Sequence, residues 1–154
     1  MAQHQIREIT EGKGKICNDL LRALPLWFGI EEAIQKYVKD VESMPMLVAY
    51  SASRPIGFLA LHLHNEYTAE IHVVAVHSDF HRSGVGRDLQ ASAEEYLRSR
   101  KFEFLTVKTL SPSRPNKEYE LTRKFYVSMG FRPVEEFKTL WGEANPCLLM
   151  IKKI

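Results

Sequence analysis

Residues 81–87, His-Arg-Ser-Gly-Val-Gly-Arg, gather side chains and backbone of the kind that holds an anion. A strand-like run from Glu70 to His77 leads into them, and an amphipathic helix, roughly Val85 to Arg100, leads out. Glycines at the mouth of a helix leave backbone N–H groups free to point at one spot. The positive end of the helix dipole points there too, and Arg82 and Arg87 flank it, a combination that favours phosphate or pyrophosphate. Gly84-x-Gly86 alone does not name the ligand. It lacks the Lys-Ser/Thr of a P-loop, and no acidic residue ends a second strand at the spacing of a dinucleotide fold.

A second group of reactive side chains lies just upstream. If the connection Asn65-Glu66-Tyr67 is a three-residue hairpin loop, His62, His64, Glu70 and His72 fall on one face of two paired strands. A two- or four-residue connection separates the pairs. Three histidines and a glutamate have the chemistry of a zinc site; a polar rim or an acceptor site is the other reading. Glu70 sits in an apolar-flanked strand, where desolvation is expected to raise its pKa towards that of a useful base, unless it is a solvated glutamate at the hairpin mouth. Cys17 and Cys147 are far apart, lack metal-ligand spacing, and read as buried thiols in a reducing compartment.

The elements that must position these residues follow from periodicity. Residues 3–9 suit a first, edge strand. Lys15 to Leu24 has one apolar helix face and is broken by Pro25; Leu26, Trp27 and Phe28 then cap the core or form a substrate-facing wall. Glu31 to Val41 is a second helix. From Pro45 the period shifts from helix to strand. Met46 to Ala52 is one strand and Ile56 to His64 a longer one, with Leu59, Leu61 and Leu63 opposite Phe58, Ala60, His62 and His64. Thr68 to His77 follows, with Ile71, Val73 and Ala75 opposite Glu70, His72, Val74 and Val76. The third helix buries Val85, Leu89, Ala93, Tyr96 and Leu97, and Phe102 to Thr109 is the next strand. After the Ser111–Pro115 loop, Asn116 is the expected N-cap of a fourth helix with Leu121, Phe125 and Met129 as its inner stripe and Gly130 as its stop. Strands around Phe131 to Phe137 and Leu148 to Ile154 close the chain, with Trp141 and the Asn145-Pro146 turn packing against the sheet. The order β-α-α-β-β-β-α-β-α-β-β predicts a single α/β domain over residues 1–154 with a mixed, mostly antiparallel sheet flanked by helices.

Bulk properties narrow the function classes. A chain of 154 residues, 45% hydrophobic and 26% charged, can bury a core without staples. The net charge of +2, without clustered Lys and Arg among aromatics, argues against nucleic acid or an anionic membrane as partner. Neither a signal peptide nor a membrane-length apolar run is present in this sequence, which points to the cytoplasm.

With the glycine loop fed by an antiparallel hairpin, the sequence resembles the GNAT superfamily of acetyl-CoA-dependent N-acetyltransferases. The family pattern Gln/Arg-x-x-Gly-x-Gly/Ala appears as His81-Arg82-Ser83-Gly84-Val85-Gly86, with His81 in the Gln/Arg position and the arginine one place later. Tyr-x-x-x-Gly-Phe appears as Tyr126 to Gly130-Phe131, and Ala69-Glu70-Ile71 followed by Val74-Ala75-Val76 is spaced from Gly84 as in the histone-modifying branch.

The resemblance implies an acetyl transfer from acetyl-CoA to a small-molecule or peptide amine, by direct attack in a ternary complex and with no metal. It assigns the pantetheine and the acetyl carbonyl to the backbone of Val74 and Val76, and the pyrophosphate to His81, Arg82, Ser83, Gly84, Val85, Gly86 and Arg87. Tyr126 becomes the general acid for the CoA thiolate, and Glu70 the general base, with His72 as second candidate. The position of a family asparagine that touches the cofactor holds Tyr119, which leaves Asn116 as the candidate for that contact. Homodimers are common in the family. A non-catalytic acyl-CoA-binding or sensory domain on the same scaffold is the alternative, and an α/β domain whose loop binds another phosphate is a third reading.

Overall fold

The computed structural model describes residues 4–154. Its elements are β1 (Gln5–Ile9), α1 (Lys13–Arg22), α2 (Glu31–Asp40), β2 (Met46–Ser51), β3 (Arg54–Leu63), β4 (Thr68–Val76), α3 (Val85–Ser99), β5 (Phe104–Leu110), α4 (Lys117–Ser128), β6 (Arg132–Phe137) and β7 (Cys147–Lys153). The order is the one expected, with boundaries shifted by a few residues; Gln3 of the expected first strand lies outside the described residues. One seven-stranded sheet runs β1-β2-β3-β4-β5-β7-β6. Every neighbouring pair is antiparallel except β4 and β5, which are parallel and joined through α3. Among the described residues, no helix is long and apolar enough to cross a membrane.

Each sheet face carries its own core. Leu59 and Leu61 pack with Val85, Leu89, Ala93 and Leu97, the stripe expected of α3. Phe58 and Ala60, of opposite parity, pack with Cys17, Leu20 and Leu21 of α1 and Ile34 of α2. Side chains such as Leu89 and Leu97, both 0% exposed, each contribute roughly 1.5–3 kcal/mol by burial. Cys17 and Cys147 are buried free thiols, and burial raises their pKa values to about 12 and about 11.

Strand β4 departs from simple alternation. Leu61 pairs with Ile71 but Ala60 pairs with Val73, so His72 is an extra residue facing β3. Such a bulge turns the strand over. Ile71 therefore lies in the α3 core while Val73 and Ala75 lie in the α1–α2 core, which corrects the expectation that all three share a face. The same bulge coincides with the end of β4–β5 pairing, at Ile71 and Val107. Beyond it the two strands part, and a cavity of about 1310 Å³ opens between them.

Helix α4 also differs in one respect. Its buried residue is Tyr126, 4% exposed, whereas Leu121, expected on the inner stripe, is 52% exposed. Asn116 caps the helix as its residue type demands, accepting from the Tyr119 N–H at 3.0 Å, and Gly130 ends it at φ +101.

Candidate active site

The N-terminus of α3 points at the cavity as a set of unpaired donors. Gly84 at φ +88 is its N-cap and offers no side-chain cap. The Asp88 N–H is the first to find a helical carbonyl, that of Gly84 at 3.0 Å, so the amides of Val85, Gly86 and Arg87 have no acceptor among the described residues. A Cβ built on Gly84 would meet nothing within 4 Å, so the space over these amides is open. Ser83 does not face a ligand; its hydroxyl donates to the Phe80 carbonyl and braces the turn. Arg82 and Arg87 are exposed beside the cradle with no carboxylate partner among the described residues. Donors, open space and cations together fit a pyrophosphate.

The parted strands supply a second row of backbone groups. The His77 N–H donates to the Ile56 carbonyl on β3 at 2.8 Å, so strand alternation turns Val76 and Val74 the other way, into the gap. The Val76 carbonyl accepts from His81 Nε2 at 2.7 Å. His81 thus reaches the strand carbonyl rather than the cradle, with the Trp27 ring edge-on to it at 5.5 Å.

Tyr126 lines the same cavity. Its hydroxyl has no hydrogen-bond partner among the described residues and is not sealed from the cavity, and burial pushes its pKa up, so it stays protonated. The neighbouring Tyr119 is committed elsewhere, donating to the Trp27 carbonyl at 2.6 Å.

The three-residue connection is the one adopted: the His64 N–H donates to the Thr68 carbonyl, and His62 pairs with Glu70. His62, His64, Glu70 and His72 accordingly share the α1–α2 side of the sheet, though they divide into two sets. Glu70, 8% exposed, is held by His64 Nε2 at 2.9 Å, by Lys108 Nζ at 3.0 Å to each carboxylate oxygen, and by Thr106 Oγ1 at 3.2 Å. Burial works to raise its pKa, but the bonds from His64 and Lys108 outweigh it and hold the carboxyl below its usual range. That reverses the expectation of a raised pKa, and Glu70 lies outside the cavity wall.

His72 does line the cavity. The bulge swings it towards α2, where Nε2 donates to Asp40 Oδ2 at 3.0 Å and the Tyr37 ring meets it edge-on at 5.4 Å. Burial lowers its pKa against the opposing pull of Asp40, so the ring is neutral at pH 7, with its Nδ1 lone pair free of partners among the described residues. Asp40 is itself held by Lys36 at 2.9 Å. Nothing in the spacing of the sequence marks Asp40, which ends α2 and meets His72 only through packing. Among the described residues no group of three His, Cys, Asp or Glu is arranged to hold a metal.

The walls come from both loops and helices. Leu26, Trp27 and Phe28 all line the cavity, and Trp27 and Phe28 also pack on the α1–α2 core, so that loop both caps the core and forms wall; Ile30 and Leu121 line the cavity as well. Trp141, expected to pack on the sheet, is 41% exposed and lines the cavity instead, beside Asn145, which accepts from Arg114.

A family model described as acetyltransferase (GNAT) family matches residues 15–131. The chain belongs to the GNAT acetyltransferase family. A GNAT family acetyltransferase from Elizabethkingia anophelis, solved with acetyl-CoA bound, has a similar structure: 20% identity, 100% of both chains covered, TM-score 0.77. So has an aminoglycoside 6'-N-acetyltransferase complexed with coenzyme A, at 19% identity over 97% of this chain and 96% of that one, TM-score 0.77. The ribosomal-protein-S18-alanine N-acetyltransferase of Escherichia coli gives a TM-score of 0.79 at 14% identity, covering 99% of this chain and 94% of that one. At these identities the likeness is one of fold. No curated protein matches the sequence. In this chain His81 is bonded to the β4 carbonyl and Asn116 has its side-chain oxygen committed to the α4 cap.

Proposed function

We propose that this GNAT protein transfers the acetyl group of acetyl-CoA to an amine by direct attack while both are bound. The observation that supports the reading is the convergence on one cavity of the amide cradle at α3, the Val74 backbone and the Val76 N–H turned away from β3, and the Tyr126 hydroxyl, unpartnered among the described residues. The cradle takes the pyrophosphate. The β4 edge takes the pantetheine, and the Val74 N–H polarises the acetyl carbonyl. His72 Nδ1 accepts the amine proton, directly or through a water, as the new C–N bond forms and the C–S bond breaks. Tyr126 gives its proton to the departing thiolate. Burial keeps the phenol protonated, and the same apolar surroundings raise the proton affinity of the thiolate. Glu70 is assigned to holding β4 to β5, because its carboxylate is saturated by Lys108, His64 and Thr106.

Calorimetric titration with CoA, ATP and buffer tests the binding half of this reading. Saturable binding of CoA with ATP at least tenfold weaker is expected; equal binding of the two would contradict it. Thiol release in the presence of an amine panel separates an enzyme from a sensory acyl-CoA-binding domain.

A further inference from the structure

We infer that the acceptor is a monoamine with an apolar, aromatic-sized body, and that polycationic amines are excluded; the inference rests on the acetyl-transfer reading. The exposed large apolar side chains of the described residues are not scattered evenly. Four of the nine, Leu26 (65% exposed), Ile30 (53%), Leu121 (52%) and Trp141 (41%), stand on the wall of the cavity that holds the cradle and Tyr126. An apolar rim of that kind, left in water, marks a binding surface for an apolar partner.

Charge decides which amine fits. Among the described residues lining the cavity, Asp40 is the single carboxylate, and Lys36 and His72 both hold it. The other ionised groups on the wall are cations: Arg82 and Arg87 flank the cradle and Lys108 is tied to Glu70, whereas Arg114 bonds the neutral Asn145 and keeps its charge beside the Trp141 loop. A polyamine or an aminoglycoside brings several ammonium groups, each needing an anion once it leaves water. This wall offers no such set and would repel them. A monoamine can enter with its nitrogen neutral, as the attack requires, and lay its body on the rim.

The test compares 2-phenylethylamine, spermidine and kanamycin by thiol release from acetyl-CoA, with acetyl-CoA binding measured by calorimetry on the same protein. The expected kcat/KM for 2-phenylethylamine is roughly 100-fold above either polycation. Trp141→Ala and Ile30→Glu, both at exposed positions, should raise its KM by about tenfold without changing the KM for acetyl-CoA. Ile30→Glu, which adds a carboxylate to the rim, should also narrow the gap to spermidine. If spermidine or kanamycin reacts as well as 2-phenylethylamine, the acceptor class is wrong while acetyl transfer stands. If acetyl-CoA binds and no amine releases thiol, the acetyl-transfer reading falls and takes this inference with it.

Discussion

Asp40 Oδ2 stands 3.0 Å from His72 Nε2, a contact that joins the last residue of α2 to the bulge of β4. The carboxylate fixes the imidazole tautomer, leaving Nδ1 as the basic nitrogen, and so acts as a positioning residue. Asp40→Asn is expected to lower kcat on the order of 10²-fold, the lower end of what a positioned base contributes, with little change in the KM for acetyl-CoA. The pH profile separates this from a structural effect. The proposed base, His72, is active when neutral, so kcat is expected to fall as pH drops through its pKa, which burial sets below the ordinary imidazole value. Asp40 pulls that pKa upward, so the acid limb of Asp40→Asn should move to still lower pH.

Tyr126→Phe removes a hydroxyl that holds no protein acceptor, so the melting temperature should hardly change. Steady-state rates should fall by about 10²–10⁴-fold while acetyl-CoA affinity, measured by calorimetry, stays within a factor of about two.

Glu70→Gln tests the reassignment of the glutamate from base to tie. The variant should keep its pH–rate profile but lose about 1–3 kcal/mol of stability, seen as a lower melting temperature at pH 7. The Glu70 pKa is depressed in the folded state, so its contribution is complete above the unfolded carboxylate value and is lost as pH falls through the folded one. The gap in melting temperature between the two proteins should therefore start to narrow as pH falls through the unfolded carboxylate value, about 4.3, and close only below the depressed folded value of Glu70.

Gly84→Val places a branched side chain at φ +88 and over the amide cradle. Gly12→Val imposes the same kind of strain at φ +73 on the N-cap of α1, remote from the cavity wall. Both should cost about 1–2 kcal/mol of stability. Only Gly84→Val should weaken CoA binding, by more than about tenfold, as read by calorimetry.

Local signals made much of this architecture legible from sequence. The change of period at Pro45, the glycine loop, the Asn116 cap and the Gly130 stop each reflect nearby residues, and each lies where it was expected. The faces of β3 followed from alternation. The bulge at His72 did not, because no glycine or proline marks it and only the pairing with β3 reveals the extra residue. The insertion of β7 between β5 and β6 is likewise a matter of long-range pairing. For the candidate site, the motifs marked the α3 amides and Tyr126, which line one cavity. The partners that set the chemistry of Glu70 and His72 were not: Lys108 arrives from β5 and Asp40 from α2, and neither spacing nor composition shows that they meet. Trp141 and Leu121 misled for a related reason, since a large apolar side chain reads as core unless a cavity exists to claim it.

The mass balance of the reaction tests acetyl transfer to an amine more closely than any single variant. The protein is incubated with acetyl-CoA and 2-phenylethylamine, and free CoA thiol and N-acetylated amine are quantified over time. Equal amounts of thiol and acetylated amine are predicted, with Tyr126→Phe slowing both alike. Thiol released without acetylated amine, or neither product from protein shown to bind acetyl-CoA when spermidine and kanamycin are supplied as well, would contradict it.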